Sequence, residues 1–336
     1  MKKGPDISTI YRIARCYYAE GLSQEEIAAN EGFSRSQISR LIEKAKELGL
    51  VKISLVPPSS EKTEELSRTL MEMFSLRCAM VVPVPRNAHQ EEITAAIATC
   101  AADYLVKALD GFSVIGLGWG RTMYKTAQML SQAIHSSKKP LFVPLIGISG
   151  DKNPNLQINT IIDRFSTAFK SQGLFINTPS VREKGAPISR IEQSRIAALK
   201  AYWDEIEAAV FGLGTAPSQS QNLIDELPQQ YKEELIRSPA CGDILAQFFD
   251  PTGIIFHAEH EYDLLAFDIT RLPRLKRRIC LAGGEGKATG ILAALHKRYI
   301  SDLVTDERTA ENIINLALKS NQRMSEAMLE KEVNFQ

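Results

Sequence analysis

The sequence is poor in the residues that staple small folds or hold metals. It has five cysteines in 336 residues: Cys16, Cys78, Cys100, Cys241 and Cys280, far apart and without a CxxC pair. An odd, scattered set argues against a disulfide framework and a Cys-rich zinc site, and it suits a reducing cytosol. Charge of one sign is also lacking, since 40 Lys and Arg balance 40 Asp and Glu. Any nucleic-acid contact must therefore come from a local cluster. Long apolar runs are absent. The longest stretch without a charged residue, 208 to 224, is 17 residues long and contains Gly212, Gly214 and Pro217. A spanning helix needs about 20 mostly apolar residues. Near the start, Asp6, Arg12 and Arg15 interrupt what would be the apolar core of a secretion signal. Neither internal repeats nor low-complexity tracts are visible. The expectation is a cytoplasmic chain with no membrane partner.

What remains is ordinary globular material, 44% apolar and 24% charged. The length predicts about two domains. Pro57-Pro58-Ser59-Ser60 marks a boundary, because Pro-Pro continues neither a helix nor a central strand. We read 1–57 as a helical domain, 58–76 as a linker or dimerisation helix, and 77–336 as an α/β domain. In the middle segment Leu66, Leu70, Met73 and Phe74 share one helix face, which either dimerises or packs on its own domain.

In the first part, Ser23 caps a helix and Glu26 completes a capping box; Gly32-Phe33 breaks it. Ser34 then caps a second helix that Gly49 ends. Ile38, Leu41, Ile42, Ala45 and Leu48 form its inner stripe, and Ile7, Ile10, Tyr11, Ala14, Tyr17 and Tyr18 stripe an earlier helix. Two short helices across a Gly-containing turn form a helix-turn-helix, whose second helix enters the major groove by its N-terminal residues. The outer face there is Ser34, Arg35, Ser36, Gln37, Ser39 and Arg40. Arg35 or Arg40 suits guanine, Gln37 suits adenine, and the serines suit phosphates or bases. Leu50 to Leu55 alternates like a wing strand. The partner expected is double-stranded operator DNA. The surplus of Lys and Arg over Asp and Glu in 1–58 is only 9 against 7, so the reading rests on pattern and not on charge.

From residue 78, short apolar runs at 78–82, 112–117, 141–145, 208–213, 278–282 and 303–305 alternate with helical stretches. That alternation predicts βαβ units and a mostly parallel sheet. The run ending at Leu117 leads into Gly118-Trp119-Gly120-Arg121-Thr122 and then a helix. A strand, a Gly-rich turn and a helix start make an anion site, to which Arg121 and Thr122 add direct contacts. The spacing fits neither a dinucleotide fingerprint nor a P-loop, so a phosphate monoester is expected. Trp119 packs or covers the ligand. A second Gly-rich stretch, Ala282 to Thr289, offers Lys287 as a point charge for a phosphate or a sugar oxygen. Asp243, in Cys241-Gly242-Asp243-Ile244, accepts from sugar hydroxyls or caps a following helix. Trp203 reads as packing. His257 and His260 lack a third spaced ligand, so a turn is expected there and not a metal site.

The stretches LSQEEIAANEGFSRSQISRLIEKAKELGLVKI, VIGLGWGRTM, VPLIGISG, AAVFGLGTAP, CGDILAQFFDPTG, ICLAGGEGKATGILAAL and LVTDERTAENII together resemble the SorC family of sugar-responsive bacterial transcription regulators. That family is sometimes grouped with deoxyribonucleoside and central glycolytic gene regulators. The resemblance implies an N-terminal helix-turn-helix domain, winged-helix-like, followed by a Rossmann-like α/β effector domain similar to glucosamine-6-phosphate deaminase and ribose-5-phosphate isomerase. It further implies homo-oligomers, dimers or usually tetramers, and sugar or polyol phosphate effectors without any other cofactor. Carried over, the family's phosphate loop falls on Gly118 to Thr122, its sugar-contacting acid on Asp243 and its effector-contacting lysine on Lys287. The competing reading is an isomerase- or deaminase-like enzyme with a helical attachment. Asp243 or Glu285 would then be the base, but neither sits in a recognisable acid/base constellation. A scaffold that binds no ligand leaves two Gly-rich loops unexplained.

Overall fold

The computed structural model describes residues 6–51, 60–130, 134, 136–148, 157–219, 227–256 and 262–333, without the side chains of 230, 321 and 323–333. The wing residues 52–55, the Pro57-Pro58 boundary and His257 to His260 lie outside this description. The chain forms two compact units, Met1–Leu55 and Val56–Gln336.

Among its described residues the first unit has three helices, α1 (Ile7–Tyr18), α2 (Gln24–Glu31) and α3 (Arg35–Glu47). Ser23 and Glu26 cap α2 reciprocally, and Gly32 ends it in the left-handed region at φ +71°. Ile13, Ile27, Ile38 and Ile42 make one part of the core, and Ile10, Ala14 and Ala45 another. Here the expected stripes need correction. Ile7 (62% exposed), Tyr11 and Tyr18 lie outside the core, and Ile13 is inside. The buried line on α1 is Ile10, Ile13, Ala14 and half-buried Tyr17, and the three outsiders fall on the flank of that arc. Leu48, also expected inside, is exposed because it is the C-cap, where the chain turns away at Gly49. Leu50 and Val51 carry no strand.

The second unit begins with α4 (Glu61–Phe74), whose Leu70 is fully buried in the core of this unit, with Leu66, Met73 and Phe74 packed against it. There follow β1 (Cys78–Val82), α5 (Gln90–Ala108), β2 (Val114–Leu117), α6 (Arg121–Met129), β3 (Leu141–Pro144), α7 (Ile158–Ala168), β4 (Gln172–Gly173), β5 (Val181–Glu183) and α8 (Arg190–Glu205). The remainder is β6 (Ala208–Phe211), β7 (Gly214–Thr215), α9 (Gln229–Arg237), β8 (Gly242–Ile244), β9 (Gln247–Phe249), β10 (Tyr262–Leu264), β11 (Arg277–Leu281), α10 (Ala288–His296), β12 (Asp302–Asp306) and α11 (Glu307–Val333). Seven strands form a parallel sheet in the order β1-β12-β11-β6-β2-β3-β4. β2, β6 and β12 are buried along their whole length, as strands covered on both faces must be.

Chain direction explains the covering. From β2 the chain steps outward to β3 and β4, whereas from β6 it steps the other way to β11 and β12. Right-handed crossovers then put α5, α6 and α7 on one face and α8 and α10 on the other. The packing agrees: α6 lies against α5 and α7, and α10 against α11. The reversal between β2 and β6 is a topological switch point, and its crevice opens at the C-terminal strand ends. Two small sheets, β7-β8-β9 and β10-β5, accompany the main one. At the sheet's edge the Ser67 hydroxyl of α4 accepts the Val81 N–H at 3.2 Å.

The left-handed residue between α2 and α3 gives a direct test. A methyl at Gly32 meets open space, so Gly32→Ala adds only the left-handed backbone cost. Amide-exchange protection of α2 and α3 in the full chain should fall about fivefold, from roughly 1 kcal/mol. Unchanged protection would remove this turn as a constraint.

Candidate functional site

On the first unit, all six candidate residues at the start of α3 are exposed. Several of them already have partners. The Gln37 side chain accepts the Ser34 N–H at 2.8 Å, while the Ser34 hydroxyl accepts the Gln37 N–H at 3.3 Å. Gln37 is therefore the second half of a capping box that sequence reasoning assigned only to α2. Arg35 pairs with Glu25 of α2 at 2.8 Å, with both side chains more than half exposed. Such a pair is worth about 0–1 kcal/mol, so an anion can displace it. Ser36, Ser39 and Arg40 stand outward, and Arg40 makes no ion pair among the described residues.

On the second unit, the predicted residues converge at the switch point. The turn after β2 comes first. The Gly118 N–H donates to Val210 O of β6 at 2.8 Å. A methyl at Gly118 would press on Phe211 and Leu245, so the turn must be backbone there. Gly120, at φ +114°, caps α6 without a side chain. The first helical bond is Tyr124 N–H to Gly120 O, leaving the N–H groups of the first turn turned outward. Arg121 is exposed, Thr122 is buried and Trp119 is half-buried. Trp203, by contrast, is core: it is 4% exposed and donates to Pro144 O at 2.8 Å.

Asp243 lies across the crevice on β8, opposite Gly214 of β7. A methyl on Gly214 would overlap its Oδ1. No helix follows, which corrects one expectation: Asp243 Oδ2 accepts the Ala246 N–H at 3.2 Å and so caps the hairpin turn between β8 and β9. Burial pushes this carboxyl up to about 6; the Ala246 hydrogen bond and the Lys287 charge oppose the rise. Lys287 is half-buried at the start of α10. Burial lowers its pKa, with the charge of Arg121 acting the same way and Cys280, Asp243 and Asp306 acting against it. Lys287 thus lies close enough to both Arg121 and Asp243 for its charge to interact with theirs. A lysine set between a second cation and a carboxyl that ionises reluctantly suits an anion with hydroxyl donors nearby.

The second Gly-rich loop differs from expectation in one respect. Its Gly284 N–H is not presented outward; Asp306 Oδ2 accepts it at 2.8 Å. Sequence reasoning gave Asp306 no role, nor Gln90, whose Nε2 donates to Gly283 O at 3.1 Å. Asp306 had a signal: it ends an apolar run three residues before Thr309, which is cap spacing. A separate cavity of about 300 Å³, lined by Leu174, Phe175, Ile176, Asn177, Arg195 and Leu199, includes none of the predicted residues. Among the described residues no group of three or more His, Cys, Asp or Glu could hold a metal, and no helix is long and apolar enough to cross a membrane.

The family described as "Putative sugar-binding domain" matches residues 59–315. The chain is 28% identical to the sorbitol operon regulator of Klebsiella pneumoniae over 317 residues, 94% of this chain and 100% of that one. It is 30% identical to the deoxyribonucleoside regulator of Bacillus subtilis over 307 residues, covering 90% and 96%. The crystal structure of the full-length sorbitol operon regulator SorC from Klebsiella pneumoniae superposes with a TM-score of 0.68 at 27% identity, covering 93% of this chain and 100% of that one.

The raised Asp243 carboxyl fixes a sign. A carboxyl with a higher pKa folded than unfolded favours folding while protonated, and that gain is lost as pH rises through about 6. The melting temperature of Asp243→Asn minus that of wild type should therefore increase from pH 4 to pH 7. A flat difference would show that Asp243 is not buried as described.

Proposed function

Because the chain belongs to the SorC family of sugar-binding transcription regulators, we propose that it controls a carbohydrate-utilisation operon through a sugar or polyol phosphate bound at the switch point. Its relatives are transcription regulators and not enzymes, and the isomerase or deaminase alternative is dropped. The observation that carries the effector reading is the convergence of the Gly118–Thr122 turn, Arg121, Lys287 and Asp243 on one crevice.

In this reading the phosphate sits at the start of α6, on outward N–H groups reinforced by Arg121 and Thr122. Lys287 engages the phosphate or a bridging oxygen. Asp243 accepts from sugar hydroxyls, and Trp119 flanks the ligand. The likeness of the second unit to glucosamine-6-phosphate deaminase and ribose-5-phosphate isomerase belongs to this reading, since both handle sugar phosphates. No other cofactor is called for.

The recognition element is the start of α3. Arg35 and Arg40 read guanine edges or phosphates, and Ser34, Ser36 and Ser39 contact backbone or bases. Gln37 joins them only by giving up its bond to Ser34. Operator half-sites require paired recognition helices, so the working form is a homodimer or homotetramer. The effector shifts operator affinity only by its unequal affinity for two subunit arrangements, typically about 1–3 kcal/mol of coupling.

Two measurements test these halves separately. Arg35→Ala with Arg40→Ala should abolish operator binding in a gel-shift assay while leaving ligand-induced stabilisation intact; retained specific binding would sink the α3 assignment. A thermal-shift screen of phosphorylated and free sugars and polyols should give a hit among the phosphate esters. A ligand at a hundredfold over its Kd stabilises by about 2.7 kcal/mol. Lys287→Ala should move that response to higher concentration without changing effector-free operator affinity. A shift with a free polyol alone would overturn the phosphate assignment.

A further inference from the structure

We propose that Asp306, acting with Thr309, is a positioning residue of the effector site: it sets the backbone of the turn that presents Lys287. The proposal rests on the effector reading above and names residues that reading does not use.

Asp306 ends β12 and is fully buried. Its two oxygens face two different elements. Oδ1 accepts the Thr309 N–H at 3.0 Å, as the cap of a following helix does. Oδ2 accepts the Thr309 hydroxyl at 2.6 Å and, from the neighbouring loop, the Gly284 N–H at 2.8 Å. That N–H also points at the Thr309 hydroxyl oxygen, 2.9 Å away. Capping α11 needs only the first of these bonds. The bonds to Gly284 serve nothing in α11; they tie down the loop.

The loop needs tying. Gly284 and Gly286 are both left-handed, at φ +101° and +79°, and the loop's own closure is a long bond from Lys287 N–H to Gly284 O at 3.4 Å. Only Glu285 and Gly286 separate the clamped Gly284 from Lys287. The clamp also demands glycine at 283, since a methyl there would overlap Asp306 Oδ2. Gln90 adds a second strap on Gly283 O. The buried carboxylate makes no ion pair among the described residues; three hydrogen bonds satisfy it. That cost is what a position-fixing group incurs. Its charge also reaches Lys287 and favours the ammonium form, as Asp243 on β8 and Cys280 on β11 do, against burial and Arg121 on α6.

The test uses the full chain and inorganic sulfate, a dianion that does not titrate between pH 6 and 10, followed by titration calorimetry at fixed ionic strength. Asp306→Asn and Thr309→Val should each weaken sulfate binding about tenfold, the size of one lost charge-assisted bond. Thr309→Ser keeps the hydroxyl and should bind like wild type. In Asp306→Asn the pH at which binding falls away should also move lower, because Lys287 loses a nearby negative charge. A merely structural role would not produce that shift. If Asp306→Asn fails to fold, the Thr309→Val and Thr309→Ser pair decides. Wild-type affinity in Thr309→Val and Asp306→Asn, with Lys287→Ala weakened, would overturn the clamp alone. Wild-type affinity in Lys287→Ala would overturn the effector reading and the clamp with it.

Discussion

The second unit depends on close approaches to glycine backbone at the C-terminal edge of its sheet. Gly118 lies on Phe211, Gly214 on Asp243, and Gly290 on the Cys241 carbonyl. None of these contacts tolerates a Cβ at ordinary distance. The turn after β2, the hairpin β8-β9 and the start of α10 therefore meet in a small volume. Ionisable groups brought along by those elements are desolvated together, which is why Asp243 and Lys287 both lean toward their neutral forms.

Much of this was legible in the sequence. The six apolar runs, the last of them short, became β1, β2, β3, β6, β11 and β12 because strands buried on both faces need continuous apolar stretches. The serine caps were legible because a hydroxyl before a helix has a local job. β4, β5 and β7 to β10 were not, since strands of two or three residues carry no period to read. The register of α1 misled in a similar way. Its apolar arc is wider than the face the other two helices cover, so Ile7, Tyr11 and Tyr18 look interior in sequence and lie outside. Asp243, Arg121 and Lys287 were readable as types at positions. Their mutual approach was legible only through the family resemblance and not from the residues themselves, because it depends on a strand order that reverses between β2 and β6.

The two candidate surfaces differ in how committed their side chains are. At α3 the bonds are local and exposed: Gln37 to Ser34, Arg35 to Glu25. They cost little to exchange for a nucleic-acid contact. At the switch point the bonds are buried and shared among several elements. On the proposed reading a ligand there would meet a preorganised frame, whereas α3 would adjust its side chains on docking.

The Ser67 hydroxyl on Val81 N–H concerns the border of the sheet. A parallel sheet ends in a strand with half its peptide groups unpaired, and such a rim can template addition of a foreign strand and seed fibres. Here α4 lies along β1 and gives one of those donors a partner. At the opposite rim, β4 is two residues long, too short to offer a register. Both flanks of the sheet thus discourage runaway strand addition, so that any association of copies is left to other surfaces.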